Sequence, residues 1–153
     1  MIHALRTRPA LATALAVSLL ACAGSSRADD APAAVPRTPA PEGARVYIIS
    51  PSDGATVSSP VLVRFGLSGM GVAPAGVANP NTGHHHLIID APTPPAAAPI
   101  PNDAQHKHFG GGQTETTVEL APGTHTLQLV LGDALHVPHD PPIVSEVVTI
   151  RVE

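Results

Sequence analysis

The sequence predicts an all-β fold, a small antiparallel Greek-key (immunoglobulin-like) sandwich that follows a signal peptide and a Pro/Ala-rich tether. The first observation is a series of six or seven short, β-branched or alternating segments after residue 44, separated by Gly and Pro turns. The second is that no segment after the N-terminal leader shows a helical period. The third is that aromatic residues make up only 2% of the chain, so Val, Leu and Ile must build the core.

Residues 1–21 have the pattern of a secretory signal peptide. Arg6 and Arg8 precede an apolar run at positions 10–21, and no acidic residue occurs in this part of the chain. The apolar run is shorter than the roughly 20 residues that a membrane-spanning helix needs. We therefore expect an exported protein of the periplasm or outer membrane.

The end of the leader is compatible with two kinds of processing. Leu19-Leu20-Ala21-Cys22 resembles a bacterial lipobox, in which Cys22 becomes a lipid-bearing N-terminus. Since Cys22 is the only cysteine, it cannot form an internal disulfide, and lipidation is the favoured interpretation. The rival small-x-small sites at Ala21-Cys22-Ala23 and Ser26-Arg27-Ala28 would instead release a soluble protein. Residues 22–43 are rich in Ala and Pro and are expected to form a tether.

The expected β-domain occupies residues 44–153, and its strands follow one another closely. Pro51-Ser52-Asp53-Gly54 and Pro122-Gly123 predict turns. Alternation places one set of apolar side chains in the core: Val63, Phe65, Leu127, Leu129 and Leu131. The predicted strands lie at residues 46–49, 61–67, 84–90, 114–120, 124–131 and 143–152. Two long Pro-rich loops, residues 69–82 and 91–105, flank the histidine-bearing segments.

Histidine is the residue type that carries the strongest functional signal. Eight of the nine histidines lie between positions 84 and 139. Residues i and i+2 of a strand point to the same face, so His84 and His86, or His106 and His108, can direct two imidazoles at one point. Prolines restrict the segment that carries the third set. The predicted metal ligands are His84, His86, His106, His108, His136 and His139.

Copper is the expected metal, with zinc as the alternative. Neutral imidazole nitrogens suit both Cu(II) and Zn(II), and the affinity order of divalent ions favours copper. Because an imidazole must be neutral to bind a metal, the ordinary histidine pKa of about 6.5 predicts weaker binding as the pH falls through that value. Asp133 or Asp140 is expected to orient an imidazole from behind.

Several other interpretations compete with a metal site or are disfavoured. The histidine segments can be surface strands and a stiff connector, and His125 is expected to be a hydrogen-bonded histidine at the edge of the core. Removal of residues 1–21 leaves six basic and twelve acidic residues, which disfavours nucleic acid as a partner. The chain has no nucleophile-elbow motif and no thiol other than Cys22, so serine and cysteine catalysis are not supported.

Three runs of residues give the chain a family resemblance. The first run is Pro80 to Asp90 and contains Gly83-His84-His85-His86. The second run is His106-Lys107-His108-Phe109-Gly110-Gly111-Gly112. The third run is Leu129 to Asp133, followed by His136 and Pro138-His139. Together they resemble a bacterial exported family, domain of unknown function 4399, over about residues 45–152. The resemblance implies a small exported domain and supplies no activity. A His-x-His strand is also similar to one in copper–zinc superoxide dismutase, but no further part of that pattern occurs here.

The leading hypothesis is an exported metal-binding module, for copper sequestration, delivery or sensing. Its expected partner is a metal ion, with another envelope protein as the alternative, and it is expected to reach a membrane only through a lipid on Cys22. A metalloenzyme with an open coordination position is the second hypothesis. It lacks an obvious general base, although the sequence leaves the positions of Glu115, Glu119 and Glu146 open. A structural or adaptor sandwich that binds another envelope protein is the third.

Overall fold

The structure is a computed structural model that describes residues 35–153. The predicted signal peptide, both predicted cleavage regions and residues 22–34 of the predicted tether lie outside the described residues. Residues 35–153 belong to one compact unit. No helix among the described residues is long and apolar enough to cross a membrane.

The described part of the chain contains strands and no helix, so the predicted all-β class is confirmed. The strands are β1 (Arg45–Ser50), β2 (Thr56–Val57), β3 (Val61–Ser68), β4 (Gly71–Val72), β5 (Thr82–Ile89), β6 (His106–His108), β7 (Glu115–Val118), β8 (Gly123–Gly132) and β9 (Val148–Val152).

The strands form two sheets. The smaller sheet has the order β1-β3-β7, and the larger has the order β2-β9-β8-β5-β4, with β6 also paired to β5. The long pairings are antiparallel, as predicted, but the two-residue strands β2 and β4 pair in parallel with β9 and β5. These two short strands add parallel pairs to an otherwise antiparallel arrangement. The immunoglobulin-type Greek key stays a prediction.

Alternation along the strands builds the main core between the sheets. Val63 and Phe65 of β3 face Leu127, Leu129 and Leu131 of β8, and all five predicted core residues are buried. Each such side chain contributes about 1.5–3 kcal/mol relative to an exposed position. The low aromatic content is matched by a core that is mostly aliphatic, with Phe65 packed against Phe109 at a centroid distance of 4.8 Å.

A second, smaller apolar cluster lies on the opposite face of the larger sheet. Ile88 of β5 and Val130 of β8 pack there against Ile100, which belongs to the Pro-rich segment at residues 91–105. The backbone N–H of Ile100 donates a hydrogen bond to the carbonyl oxygen of His136 at 2.8 Å. Two loops are thus joined over the outer face of this sheet, and that face carries His84 and His86.

The structure differs from the predicted strands and tether at two places. The predicted strand at residues 143–152 is shorter, because only β9 is a regular strand and residue 144 forms an isolated bridge with Val130. At the other end, Pro39 forms a parallel bridge with Asp140, although the composition places residue 39 in the tether. Ordered pairing therefore begins before residue 44.

Candidate metal centre

The alternation of β5 separates its three consecutive histidines. His85 points into the main core beside Phe65, with ring centroids 5.2 Å apart, while His84 and His86 point to the outer face. His84 and His86 are 0% and 1% exposed. Charged or polar side chains are rarely buried this completely unless something compensates them. The strand therefore contributes one buried pair of imidazoles and one separate core histidine.

The register of β6 adds a third imidazole. β6 runs antiparallel to β5 and places His108 opposite His86 and His106 opposite Ile88. The rings of His86 and His108 are stacked at a centroid distance of 5.1 Å, and His108 also lies 5.0 Å from His84. One member of the predicted pair at 106 and 108 consequently joins the pair on β5.

The fourth imidazole comes from the segment of residues 133–140, called here the His136 loop. Its shape depends on Asp133, whose Oδ1 accepts hydrogen bonds from the backbone N–H of Leu135 at 2.8 Å and of Val137 at 3.1 Å. His136 has a φ of 64°, a left-handed conformation that is uncommon for a residue with a side chain. The loop thereby brings His136 Nδ1 to 3.2 Å from His84 Nε2.

These four side chains form the candidate metal centre, called here the His cluster. Each of His84, His86, His108 and His136 offers a ring nitrogen, and these nitrogens lie within 4.8 Å of one another. A metal ion at about 2.0–2.1 Å from each nitrogen sets tetrahedral N···N distances of about 3.3 Å. The widest pair would have to approach by about 1.5 Å at most, which side-chain rotation can supply.

Three of the four rings bury a nitrogen without a hydrogen-bond partner among the described residues. These atoms are His84 Nδ1, His86 Nδ1 and His108 Nε2. A buried polar atom that is left unpaired costs about 1–3 kcal/mol, so several in one place call for a ligand. Four imidazole nitrogens within 4.8 Å of one another, on rings to which no carboxylate among residues 35–153 hydrogen-bonds, fit a cation with affinity for nitrogen. The residues present therefore fit a metal ion, and the His cluster can bind one.

Burial keeps His84 and His86 neutral to a lower pH than the sequence predicts. Desolvation, followed by repulsion from His136 and His108, lowers the pKa of His84 to about 4. Desolvation and the neighbouring histidines lower the pKa of His86 to about 3. Burial and His136 also lower the pKa of His108. At His84 and His86 protons therefore compete with a metal ion only well below the expected pH of about 6.5.

Two glycines leave space for the imidazoles. A β-carbon on Gly132, the residue opposite His84 on β8, would lie 2.7 Å from Cε1 of His86. A β-carbon on Gly110 would lie 2.4 Å from Cε1 of His108. Because such distances are too short for non-bonded carbon atoms, each ring occupies the volume of an absent side chain. Gly110 follows His108 closely in the sequence, whereas Gly132 lies on a different strand from the ring that it accommodates.

Two of the six predicted ligands lie outside the His cluster, each with partners of its own. His106 Nδ1 lies 2.9 Å from the Oδ1 atom of Asp103, which also accepts a hydrogen bond from the His106 backbone. His139 is fully buried, with Nδ1 3.4 Å from the carbonyl oxygen of Leu131 and Nε2 3.3 Å from that of Thr82. His106 is held away from the cluster because its cross-strand neighbour is Ile88.

The acidic residues that the sequence singled out have other functions. Asp133 orients the backbone of the His136 loop and hydrogen-bonds to no ring of the His cluster within residues 35–153. Asp140 pairs with Arg37 at 2.9 Å. His125 lies at the edge of the core and donates to Asp90 Oδ2 at 2.7 Å, in agreement with its expected hydrogen-bonded position.

Comparison with known proteins assigns the family. No curated protein and no solved structure matches the chain significantly. The family described as Domain of unknown function (DUF4399) matches residues 63–153, which include all four residues of the His cluster. That match covers more than half of the chain and confirms the resemblance found in its three sequence runs. The chain therefore belongs to the DUF4399 family.

Proposed function

We propose that this protein is an exported metal-binding module that holds one copper ion with His84, His86, His108 and His136. The observation that supports the proposal most is the convergence of four imidazoles, three of which bury an unpaired nitrogen. His106 and His139 are left out of the proposed ligand set, because each has its own hydrogen-bonding surroundings.

Copper is proposed ahead of zinc on the chemistry of the donors. Four imidazoles suit either ion, and at equal availability a nitrogen site binds Cu(II) more tightly than Zn(II). Each metal-bound imidazole is neutral. The four ligands therefore do not offset the positive charge of the ion in this partly buried site. Burial of His84 and His86 limits the approach of other molecules, which fits sequestration, delivery or sensing of the ion itself.

Catalysis is the second hypothesis, and the carboxylates do not favour it. Glu115 pairs with Arg64 at 3.2 Å, and Glu119 accepts a hydrogen bond from Ser59. Glu146 is exposed. No carboxylate within residues 35–153 hydrogen-bonds to a ring of the His cluster, so a positioned general base is not part of the proposal.

The test is a metal titration of the untagged chain, purified without affinity resin and treated with a chelator. The wild type should bind one Cu(II) per chain, and copper should displace zinc in competition. The His84→Ala/His86→Ala double variant should lose at least a hundredfold in Cu(II) affinity, because half of the ligands are gone. Equal affinity in the wild type and the double variant, or no binding by the wild type, would overturn the proposal.

His85→Leu is the matched control, since it alters the middle of the same histidine run. His85 faces Phe65 in the main core, and its Nδ1 lies 3.3 Å from the carbonyl oxygen of Gln113. We expect this variant to bind copper as tightly as the wild type. Loss of binding in His85→Leu equal to that in the double variant would show that the titration reports folding and not ligation.

Export and lipidation are part of the same proposal and rest on the leader sequence. Wild-type protein should sediment with membranes, and Cys22→Ser should be released in soluble form. A soluble wild-type protein that begins at Gly24 or Asp29 would overturn the lipid anchor and leave export in place. Retention of the intact leader in the cytoplasm would overturn both.

A further inference from the structure

The segment that precedes β1 lies along the loop that carries the fourth proposed ligand. This segment, residues 37–40, is called here the strap. The backbone N–H of Asp140 donates to the carbonyl oxygen of Thr38 at 2.9 Å, and the N–H of Ala40 donates to the carbonyl oxygen of Asp140 at 2.8 Å. The strap thus pairs with the end of the His136 loop, about 100 residues away in sequence.

Thr38 completes the hydrogen bonding of the carboxylate that shapes the loop. Its Oγ1 donates to Asp133 Oδ2 at 2.7 Å, while Oδ1 of the same carboxylate accepts the two backbone N–H groups that flank His136. Asp133 is only 3% exposed. A buried carboxylate needs all its hydrogen bonds, so the strap helps to fix the turn that begins the loop.

Arg37 fixes the other end of the loop. Its Nε donates to the carbonyl oxygen of Pro138 at 3.2 Å, its Nη2 to the carbonyl oxygen of His139, and its Nη1 to Asp140 Oδ1 at 2.9 Å. Arg37 and Thr38 therefore hold the two sides of His136. A left-handed residue with a side chain persists only where its surroundings fix it, and these contacts supply part of that restraint.

We propose that the strap is a coupled element of the metal site, in which Arg37 and Thr38 position His136 for the ion. The inference rests on the proposed function. Coupling between two binding events is reciprocal, so a docked strap strengthens metal binding and a bound ion keeps the strap docked. Release of the strap would free the His136 loop and weaken the hold on the ion, typically by about 5- to 150-fold for such couplings.

The first test compares Cu(II) affinity among variants of the full chain. Thr38→Val keeps the side-chain volume and removes the donor to Asp133, and Arg37→Ala removes three donors. Both should weaken Cu(II) binding at least fivefold and change its electron paramagnetic resonance spectrum, because His136 moves. Thr38→Ser should restore the wild-type affinity and spectrum. Arg64→Ala is the matched control, since Arg64 also makes an ion pair but with Glu115 of β7.

The second test measures whether metal binding keeps the strap docked. Amide hydrogen exchange at Ala40 and Asp140 should slow when the wild type binds Cu(II), and Thr38→Val should abolish that protection. If Thr38→Val only lowers the unfolding temperature of the metal-free protein, with affinity and spectrum unchanged, the strap is merely structural and the inference is wrong. If the wild type binds no copper, the proposed function fails and this inference fails with it.

Discussion

The ring of His86 occupies the space that a side chain at position 132 would need. Position 132 must therefore be a glycine for the His86 ring to fit. The histidine pattern alone does not reveal this, because Gly132 lies on β8 and His86 lies on β5. His84 and His86 contribute imidazoles to the His cluster, while Gly132 leaves the space that the His86 ring occupies. A glycine here is needed for close approach, since its φ is not in the left-handed range.

Gly132→Ala should therefore impair metal binding more than folding. Its β-carbon would lie 2.7 Å from Cε1 and 3.1 Å from Nδ1 of His86, which must shift. Overpacking of this kind costs about 1–3 kcal/mol, and a loss of about 1.4 kcal/mol in binding lowers the affinity tenfold. The measurement is Cu(II) competition titration. Gly71→Ala is the control, since its β-carbon meets nothing closer than 3.5 Å, and equal affinities in both variants would contradict the prediction.

At the scale of strands and loops, alternation predicted part of the site and register decided the rest. The sequence separates His84 and His86 from His85 correctly, because side chains of a strand alternate between faces. It cannot separate His108 from His106, because these two also share a face. The pairing of β6 with β5 puts His108 beside the cluster and His106 one pair further along. That register depends on the loop at residues 91–105, whose path has no periodic signal.

The position of the His136 loop could not be predicted from the sequence, for a different reason. Its prolines predicted stiffness, but the position of His136 depends on Asp133 and on Thr38, which is 95 residues away from Asp133. Composition placed Thr38 in the tether, because Ala/Pro-rich segments rarely bury enough surface to order themselves. The strap is ordered by hydrogen bonds to the His136 loop, and the sequence near the strap does not show that these two segments meet.

The end of β5 and the start of β8 are joined by the hydrogen-bonded ion pair of Asp90 and His125, whose strength depends on pH. Hydrogen bonds to Asp90, and then to the carbonyl oxygen of Ala121, raise the pKa of His125. Burial raises the pKa of Asp90, but hydrogen bonds from His125 and Thr126 outweigh it and lower the pKa overall. A raised histidine pKa stabilises the folded protein below about pH 6.5, and this contribution disappears as the pH rises through the folded value.

Asp90→Asn should remove this contribution. By nuclear magnetic resonance, the midpoint of His125 titration should lie above 6.5 in the wild type and fall in the variant. The stability difference between the two proteins should be larger at pH 6 than at pH 9, and small in both cases, because the pair is partly exposed to solvent. An unchanged His125 midpoint in Asp90→Asn would contradict the assignment of Asp90 as its partner.

For the whole molecule, the buried rings of His84 and His86 make the metal-free protein sensitive to acid. His84 and His86 have lowered pKa values, about 4 and about 3, so the unfolded chain takes up protons near pH 6.5 while the folded chain does not. Since the unfolded state then binds more protons, the free energy of unfolding decreases as the pH falls from about 6.5 towards 4. His125 acts in the opposite direction, but it is a single, more exposed group.

Urea unfolding of the chelator-treated wild type should therefore show a loss on the order of a few kcal/mol between pH 7.5 and pH 5. His86→Leu should show a smaller loss, because one buried imidazole is replaced by an apolar side chain. Saturating copper should raise the stability at pH 7.5, by about 2.7 kcal/mol at a free concentration of 100 times Kd. Equal stability of the metal-free wild type at the two pH values would contradict the prediction.

The near-complete burial of His84 and His86 has a practical consequence for handling the protein. A nickel or copper ion on a chromatography resin is already wrapped by its chelator and cannot pass beneath the two loops that cover β5. We therefore expect the three consecutive histidines at 84–86 to contribute little to retention of the folded chain on such resins. In denaturant the same three residues form a short natural tag, so retention on the resin would report unfolding.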